Sequence, residues 1–275
     1  MSGARKGRVL VCAGSDSGGG AGIQADIKAV TALGGYAATA ITALTAQNTL
    51  GVQGVMGVPP DFIRQQIQLV LEDIGADAIK TGMLADVATI GAVCDALAAY
   101  GSGIPLVADP VMVAKGGHRL LAADAVATLT ERLLPMAALI TPNLPEAEAL
   151  VGFAVTDVPA MHRAAEALLR LGVRAVLVKG GHLDGAVLTD ILATPEGTEI
   201  FESRRIDSTS THGTGCTLAS AIACGLAQGM SLPATVARAR AYVRAAMLAA
   251  PGLGQGHGPL GHGVTMDPAR LERLV

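Results

Sequence analysis

The chain has 275 residues with a net charge of −3, so it carries no basic field for a phosphate backbone, and with no Trp it offers few faces on which bases could stack. Hydrophobic residues make up 51% and charged residues 16%, too much apolar surface to stay solvated, which excludes disorder. A folded α/β chain of about this length forms a full core without metal or disulfides, and one domain over residues 1–275 is the economical expectation.

In chain order, apolar or β-branched runs alternate with helical patterns. Strands are expected at Arg8–Cys12, Ala37–Leu44, Ala78–Thr81, Pro105–Ala108, Ala138–Thr141 and Ala175–Lys179. Helices are expected at Ala21–Leu33, Pro60–Asp73, Val87–Ala99, Ala122–Leu133, Pro145–Val151, Pro159–Leu171, Gly215–Gln228 and Leu232–Leu248. The stretches Ala186–Leu192 and Thr198–Arg205, joined through Pro195-Glu196-Gly197, read as a hairpin. The alternation predicts a parallel sheet with helices on both faces, and the continuously apolar strands fit burial on both sides. The Gly/His/Pro-rich stretch Pro251–Gly263 reads as a loop over the body.

Two long stretches, Ala29–Pro60 and Ser208–Ala237, lack Asp, Glu, Lys and Arg, but Gly, Pro, Gln and Asn interrupt both. They read as buried sheet and helix, not membrane spans. The N-terminal apolar run RVLVCAG is too short for an export signal, so a cytoplasmic location is expected. Cys12, Cys94, Cys216 and Cys224 form no CxxC pair, which speaks against a zinc site or a disulfide framework.

Chemistry concentrates where strands end. GSDSGGGAGIQAD, residues 14–26, is a Gly-rich turn between a strand and a helix. It fits neither a P-loop, since Gly20-Ala21 follows Gly19, nor GxGxxG, since Ile23 stands at the last glycine. A close-approach turn for a ligand and a plain tight turn remain equal readings. In TPNLPEAEAL, Asn143 and Glu146 suit a helix cap; alternatively the Glu146 carboxylate faces Mg²⁺ and phosphates at the sheet's carboxyl edge, beside Asp109 of ADPVM. Lys179 of VKGGH ends a buried strand, where an ammonium needs an anion. Gly213-Thr214-Gly215-Cys216 opens a long uncharged helix, whose N–H groups and dipole favour an anion and whose first turn is expected to lower the Cys216 thiol pKa. Gln47 is an amide in an uncharged stretch, needing a hydrogen-bond partner in protein or ligand; Met83 reads as a ring contact or as core filling.

Taken together, GSDSGGGAGIQAD, TALTAQNT, KTGML, ADPVM, TPNLPEAE, VKGGH and HGTGCT resemble the hydroxymethylpyrimidine/phosphomethylpyrimidine kinases of thiamine biosynthesis, within the ribokinase-like superfamily, from about Val9 to His262. The resemblance implies a three-layer α/β/α sandwich with a mostly parallel central sheet, and two successive ATP-dependent phosphorylations of an aminopyrimidine alcohol. It further implies that Gly14, Asp26, Gln47, Met83 and Val111 line the pyrimidine pocket, and that Asp109, Asn143 and Glu146 serve Mg²⁺ and phosphates. Lys179, Thr209 and Thr211 would serve ATP, Gly213, Thr214 and Gly215 an anion hole, and Cys216 the base position where most ribokinase relatives carry Asp. The same resemblance implies a homodimer, and no synthase or thiaminase-like extension is expected. Pyridoxal or pyridoxine kinase is the nearest alternative. A sugar or nucleoside kinase would call for Asp in place of Cys216, and a regulator without turnover is a third class.

Overall fold

The computed structural model describes residues 7–114, 117–118, 120–122 and 124–267. Its centre is an eight-stranded sheet in the order β10-β9-β8-β7-β6-β5-β1-β2. The strands are β1 (Arg8–Ala13), β2 (Tyr36–Ile41), β5 (Ala78–Thr81), β6 (Leu106–Ala108), β7 (Leu139–Ile140), β8 (Val176–Lys179), β9 (Val187–Thr194) and β10 (Gly197–Arg204). Pairing is parallel from β2 to β8, and antiparallel at β8–β9 and β9–β10. The expected hairpin is β9–β10, turned by Pro195-Glu196.

Helices α1 (Gly22–Ala32), α7 (Thr214–Ala227) and α8 (Leu232–Leu248) cover one face of the sheet. The other carries α2 (Pro60–Asp73), α3 (Val87–Tyr100), α4 (Ala125–Thr128), α5 (Leu144–Val151) and α6 (Val158–Arg170). In β1 the alternation of a strand sends Val9 and Val11 to the first layer and Leu10 and Cys12 to the second. Apolar packing on both faces explains why this strand reads as a continuous hydrophobic run. The result is the expected three-layer sandwich.

Two expectations are corrected. Ala37–Leu44 is not one strand: β2 ends at Ile41, and β3 (Ala43–Asn48) pairs antiparallel with β4 (Gly51–Gly57) as a separate ribbon. The apolar run continues through the break because Thr42, at the corner, is fully buried and donates its hydroxyl to the Met83 carbonyl at 2.7 Å. The helix expected at Ala122–Leu133 is shorter and irregular: α4 passes into a π-type turn at Leu129–Leu133 and a 3-10 turn at Leu134–Met136, where Pro135 cannot continue an α-helix. Ala123 lies outside the described residues.

The connections fix where a ligand can sit. From β1 the chain moves outward to β2, then returns to β5 on the other side of β1. That reversal opens a crevice at the strands' carboxyl ends. The segment after α8 crosses this edge as expected. The Gln255 and Gly256 N–H groups donate to Thr49 Oγ1 at the ribbon's tip (3.2 and 3.3 Å), the His257 N–H to the Thr49 carbonyl (2.9 Å), and the Gly258 N–H to the Thr209 carbonyl (3.2 Å).

Candidate active site

A cavity of about 850 Å³ runs along the carboxyl edge from β1 and the β3–β4 ribbon to β9–β10 and α8. Gly14, Gln47, Met83 and Val111 line it together, with Asp109, Asn143, Glu146, Lys179, Thr211 and Gly213–Cys216. Gly14 closely approaches Met83, since a Cβ at Gly14 would lie 3.1 Å from the Met83 sulfur. Toward the other edge the walls include Leu188, Arg240, Val243 and Met247.

At the centre, Lys179 Nζ donates to Asp109 Oδ1 at 3.0 Å, and the Thr141 hydroxyl donates to the same oxygen at 3.0 Å. Burial alone would lower the Lys179 pKa, but Asp109 and Glu146 outweigh it, so the ammonium is held above its ordinary value. This supplies the anion its place at a strand end demands. Both charges lie over the start of α7: a Cβ at Gly215 would be 3.4 Å from Lys179 Nζ and 3.6 Å from Asp109 Oδ2.

Helix α7 starts after Gly213, whose φ of 77° is left-handed and whose absent Cβ would overlap the Gly20 carbonyl oxygen. No side chain caps this helix, which leaves first-turn N–H groups available at the cavity wall. Cys216 is half-buried in that turn. The expectation of a lowered thiol pKa is reversed: burial pushes it up to about 11, against the opposing charge of Lys80 and the Gly22 N–H. Desolvation here outweighs the helix terminus.

Asn143 and Glu146 form a reciprocal capping box for α5: Asn143 Oδ1 accepts from the Glu146 N–H at 2.9 Å, and Glu146 Oε2 from the Asn143 N–H at 2.8 Å. The structural reading of this pair is therefore present, and both residues also line the cavity. Burial raises the Glu146 carboxyl to about 7, opposed by Lys179. Among the described residues no group of three or more His, Cys, Asp or Glu could hold a metal by itself. An all-oxygen site with one or two carboxylates nonetheless fits Mg²⁺, which keeps several waters and takes substrate phosphates as ligands.

Two expected residues stand elsewhere. Asp26 does not line the cavity; it is fully buried, 2.9 Å through each oxygen from the equally buried Lys80 Nζ, and accepts from the Ser220 hydroxyl at 2.6 Å. The reason is one of cost: a buried ammonium must be paired, and Asp26 is its partner. Thr209 is exposed and outside the cavity wall, and its carbonyl serves the Gly258 and Thr211 N–H groups instead.

Sequence reasoning missed a polar knot at the glycine-rich turn. Asp16 Oδ1 accepts from the Gly18 N–H at 2.8 Å, and Oδ2 from the Gly20 and Ala21 N–H groups at 3.0 and 2.8 Å. His212 Nε2 lies 2.8 Å from the same Oδ2, and the Gln47 side-chain amide lies 3.1 Å from that nitrogen. Burial would raise the Asp16 carboxyl, but His212 and the N–H donors hold it below its ordinary value. An aspartate heading a glycine run is itself a turn signal, which could have singled out Asp16.

An anion-receptive helix start, a charged pair and a thiol on a three-layer α/β sandwich define a small-molecule kinase of ribokinase-like fold. Residues 16–261 match the family model described as phosphomethylpyrimidine kinase, and the chain belongs to that family. It is 48% identical over 255 residues to the hydroxymethylpyrimidine/phosphomethylpyrimidine kinase of Streptomyces coelicolor, covering 93% of this chain and 94% of that one. Identity is 52% over 265 residues with the thiamine biosynthesis bifunctional protein ThiED of Geobacter sulfurreducens, covering 96% of this chain; the match spans only 54% of that longer relative. Among solved structures, an ADP complex of Bacillus subtilis pyridoxal kinase superposes with a TM-score of 0.86 at 37% identity, covering 94% of this chain and 97% of that one. A phosphomethylpyrimidine kinase from Clostridium difficile gives 0.77 at 41% identity, covering 86% and 97%.

Proposed function

We propose that the protein transfers the γ-phosphoryl group of ATP to the hydroxymethyl oxygen of 4-amino-5-hydroxymethyl-2-methylpyrimidine, and then a second group to the resulting monophosphate. The observation that carries this reading is Cys216 in the uncapped first turn of α7, with the Asp109–Lys179 pair directly over Gly215. Gln47, Met83, Gly14 and Val111 form the ring-binding end of the cavity, and the nucleotide lies toward β9–β10 and α8 with Lys179 and Thr211 on its phosphates.

In the transfer, the hydroxymethyl oxygen forms a bond to the γ-phosphorus, the bond to the bridging oxygen breaks, ADP leaves, and the hydroxyl proton passes to the Cys216 sulfur in its minor thiolate form, the thiol having first lost its own proton to solvent. The transition state is loose, so positioning and charge stabilisation carry most of the rate. The N–H groups of Gly213–Cys216 and the Lys179 ammonium face the developing phosphoryl charge. Asp109 and Glu146, with Asn143 beside them, would hold Mg²⁺, which neutralises phosphate charge when bound.

A homodimer is favoured by the apolar side chains exposed on the β3–β4 ribbon and beside it, Leu44, Leu50, Val55, Met56 and Phe62. A cytoplasmic location is favoured by four free thiols, as a reducing compartment would keep them; no described helix is long and apolar enough to cross a membrane. One kinase domain is favoured by one central eight-stranded sheet covered on both faces. Pyridoxal phosphorylation is the second reading, favoured by the superposition on pyridoxal kinases. Coupled ADP release with the pyrimidine alcohol, pyridoxal and ribose separates these activities. Turnover of the pyrimidine at the highest kcat/KM is expected, and preference for pyridoxal or ribose would overturn the assignment.

A further inference from the structure

The geometry points to His212 as a positioning residue for substrate specificity, which fixes through its Nε2–H which face of the Gln47 amide meets the ring. The inference rests on the reading that Gln47 contacts the pyrimidine.

The imidazole is buried and touches two polar groups through one nitrogen: Asp16 Oδ2 at 2.8 Å and Gln47 Nε2 at 3.1 Å. A carboxylate accepts only, so Nε2 must carry the proton. A protonated nitrogen cannot accept from an amide N–H. A half-turn of the Gln47 amide, which exchanges two ends of nearly equal size, therefore brings its carbonyl oxygen toward the ring nitrogen and takes its NH₂ away from it.

The opposite end of the amide agrees. The Thr45 hydroxyl lies 3.4 Å from Gln47 Oε1 and donates its own hydrogen to the Ser15 carbonyl at 2.9 Å, so it can only accept from Gln47, and the same half-turn gives it the NH₂. With both neighbours setting the same orientation, the amide presents a donor to the cavity. That donor selects a ring with an unprotonated nitrogen at its edge and rejects one offering only C–H or N–H there.

The ring cannot drift. The His212 backbone N–H donates to the Gly258 carbonyl at 3.1 Å, which holds the main chain that carries the ring, and Gly20 packs on the ring itself, since a Cβ there would approach the imidazole Cδ2 to 2.6 Å. The charged form of Asp16 is favoured independently by three backbone N–H donors, so removing the imidazole does not orphan the carboxylate.

A double-mutant cycle of Gln47→Ala and His212→Phe tests this, with separate KM values for the pyrimidine alcohol and ATP. Each single change is expected to raise the pyrimidine KM roughly tenfold, the scale of one hydrogen bond, with the ATP KM and the melting temperature nearly unchanged. The double variant should be no worse than either single one, and His212→Gln, which keeps an N–H, should recover part of the loss. Multiplying effects, or His212→Phe lowering kcat and raising both KM values alike, would show His212 supporting only the start of α7 and overturn the inference while leaving Gln47 in place. An unchanged pyrimidine KM in Gln47→Ala would remove the Gln47 reading, and the inference with it. In ¹⁵N-histidine-labelled wild-type protein, His212 should show a protonated Nε2; a bare Nε2 overturns the inference even if His212→Phe does not fold.

Discussion

Gly213 and Gly229 share a left-handed backbone, with φ of 77° and 82°, but differ in what a side chain would meet. At Gly229 nothing lies within 4 Å; at Gly213 a Cβ would overlap the Gly20 carbonyl oxygen and crowd Ala21 Cα at 3.1 Å. Alanine at Gly229 should therefore cost only the conformational penalty, about 1–2 kcal/mol, and leave kinetics alone. Alanine at Gly213 carries the same penalty plus a backbone collision that must push the start of α7 from the glycine-rich turn. Misplacing one anion-hole donor costs about 10²–10³ in kcat, so Gly213→Ala should lose at least 100-fold in rate and more stability than Gly229→Ala. Denaturant unfolding of both variants, with kcat at saturating substrates, checks this. Equal stability losses, or wild-type kcat in Gly213→Ala, would refute the packing argument.

Cys216→Ala should lower kcat by about 10²–10⁴ while ATP binding and melting stay near wild type; unchanged turnover would remove the thiol from the mechanism. With the thiol near 11, its iodoacetamide alkylation should quicken about tenfold per pH unit from pH 7 to 10, because the thiolate is the nucleophile; a plateau near pH 8, followed by mass spectrometry, would contradict the burial effect. Lys80→Met should destabilise by about 3–5 kcal/mol, since it strands a buried Asp26, whereas the Lys80→Met/Asp26→Leu pair should lose much less than the sum of its single changes; denaturant melts giving under 1 kcal/mol for Lys80→Met would show Asp26 already neutral. Glu146→Gln keeps a capping-box side chain, so the melting temperature should hold while the Mg²⁺ needed for half-maximal rate rises, and an unchanged Mg²⁺ curve would return Glu146 to a purely structural role.

What the residues disclosed depended on whether their signal was local. Strand ends at Asp109 and Lys179, and the glycines before Cys216, announce themselves through chain direction and burial, and the fold brings them together. The ribbon at Ala43–Gly57 stayed hidden because Thr42 is polar yet buried, so hydropathy showed no break. Asp26 was placed by resemblance; the argument that singled out Lys179, that a lysine in an apolar strand needs an anion, applies equally to Lys80 and would have found the pair. The sign of the Cys216 shift required three-dimensional burial, and the Asp16–His212 contact joins residues 196 apart.

The crossing at Gln255–Gly258 bears on the order in which the protein matures. Thr49 meets Gly256 across 207 residues of chain, and Thr209 joins the same tie. During synthesis the ribbon and the glycine-rich turn leave the ribosome long before the partner that fastens them. Contacts so distant in sequence incur their loop-closure cost before any reward arrives, so they form late. The catalytic edge is thus the last region to be completed, and a nascent chain paused before Gly254 can assemble its sheet while still lacking the fastening that joins the ribbon's tip to the segment before α7.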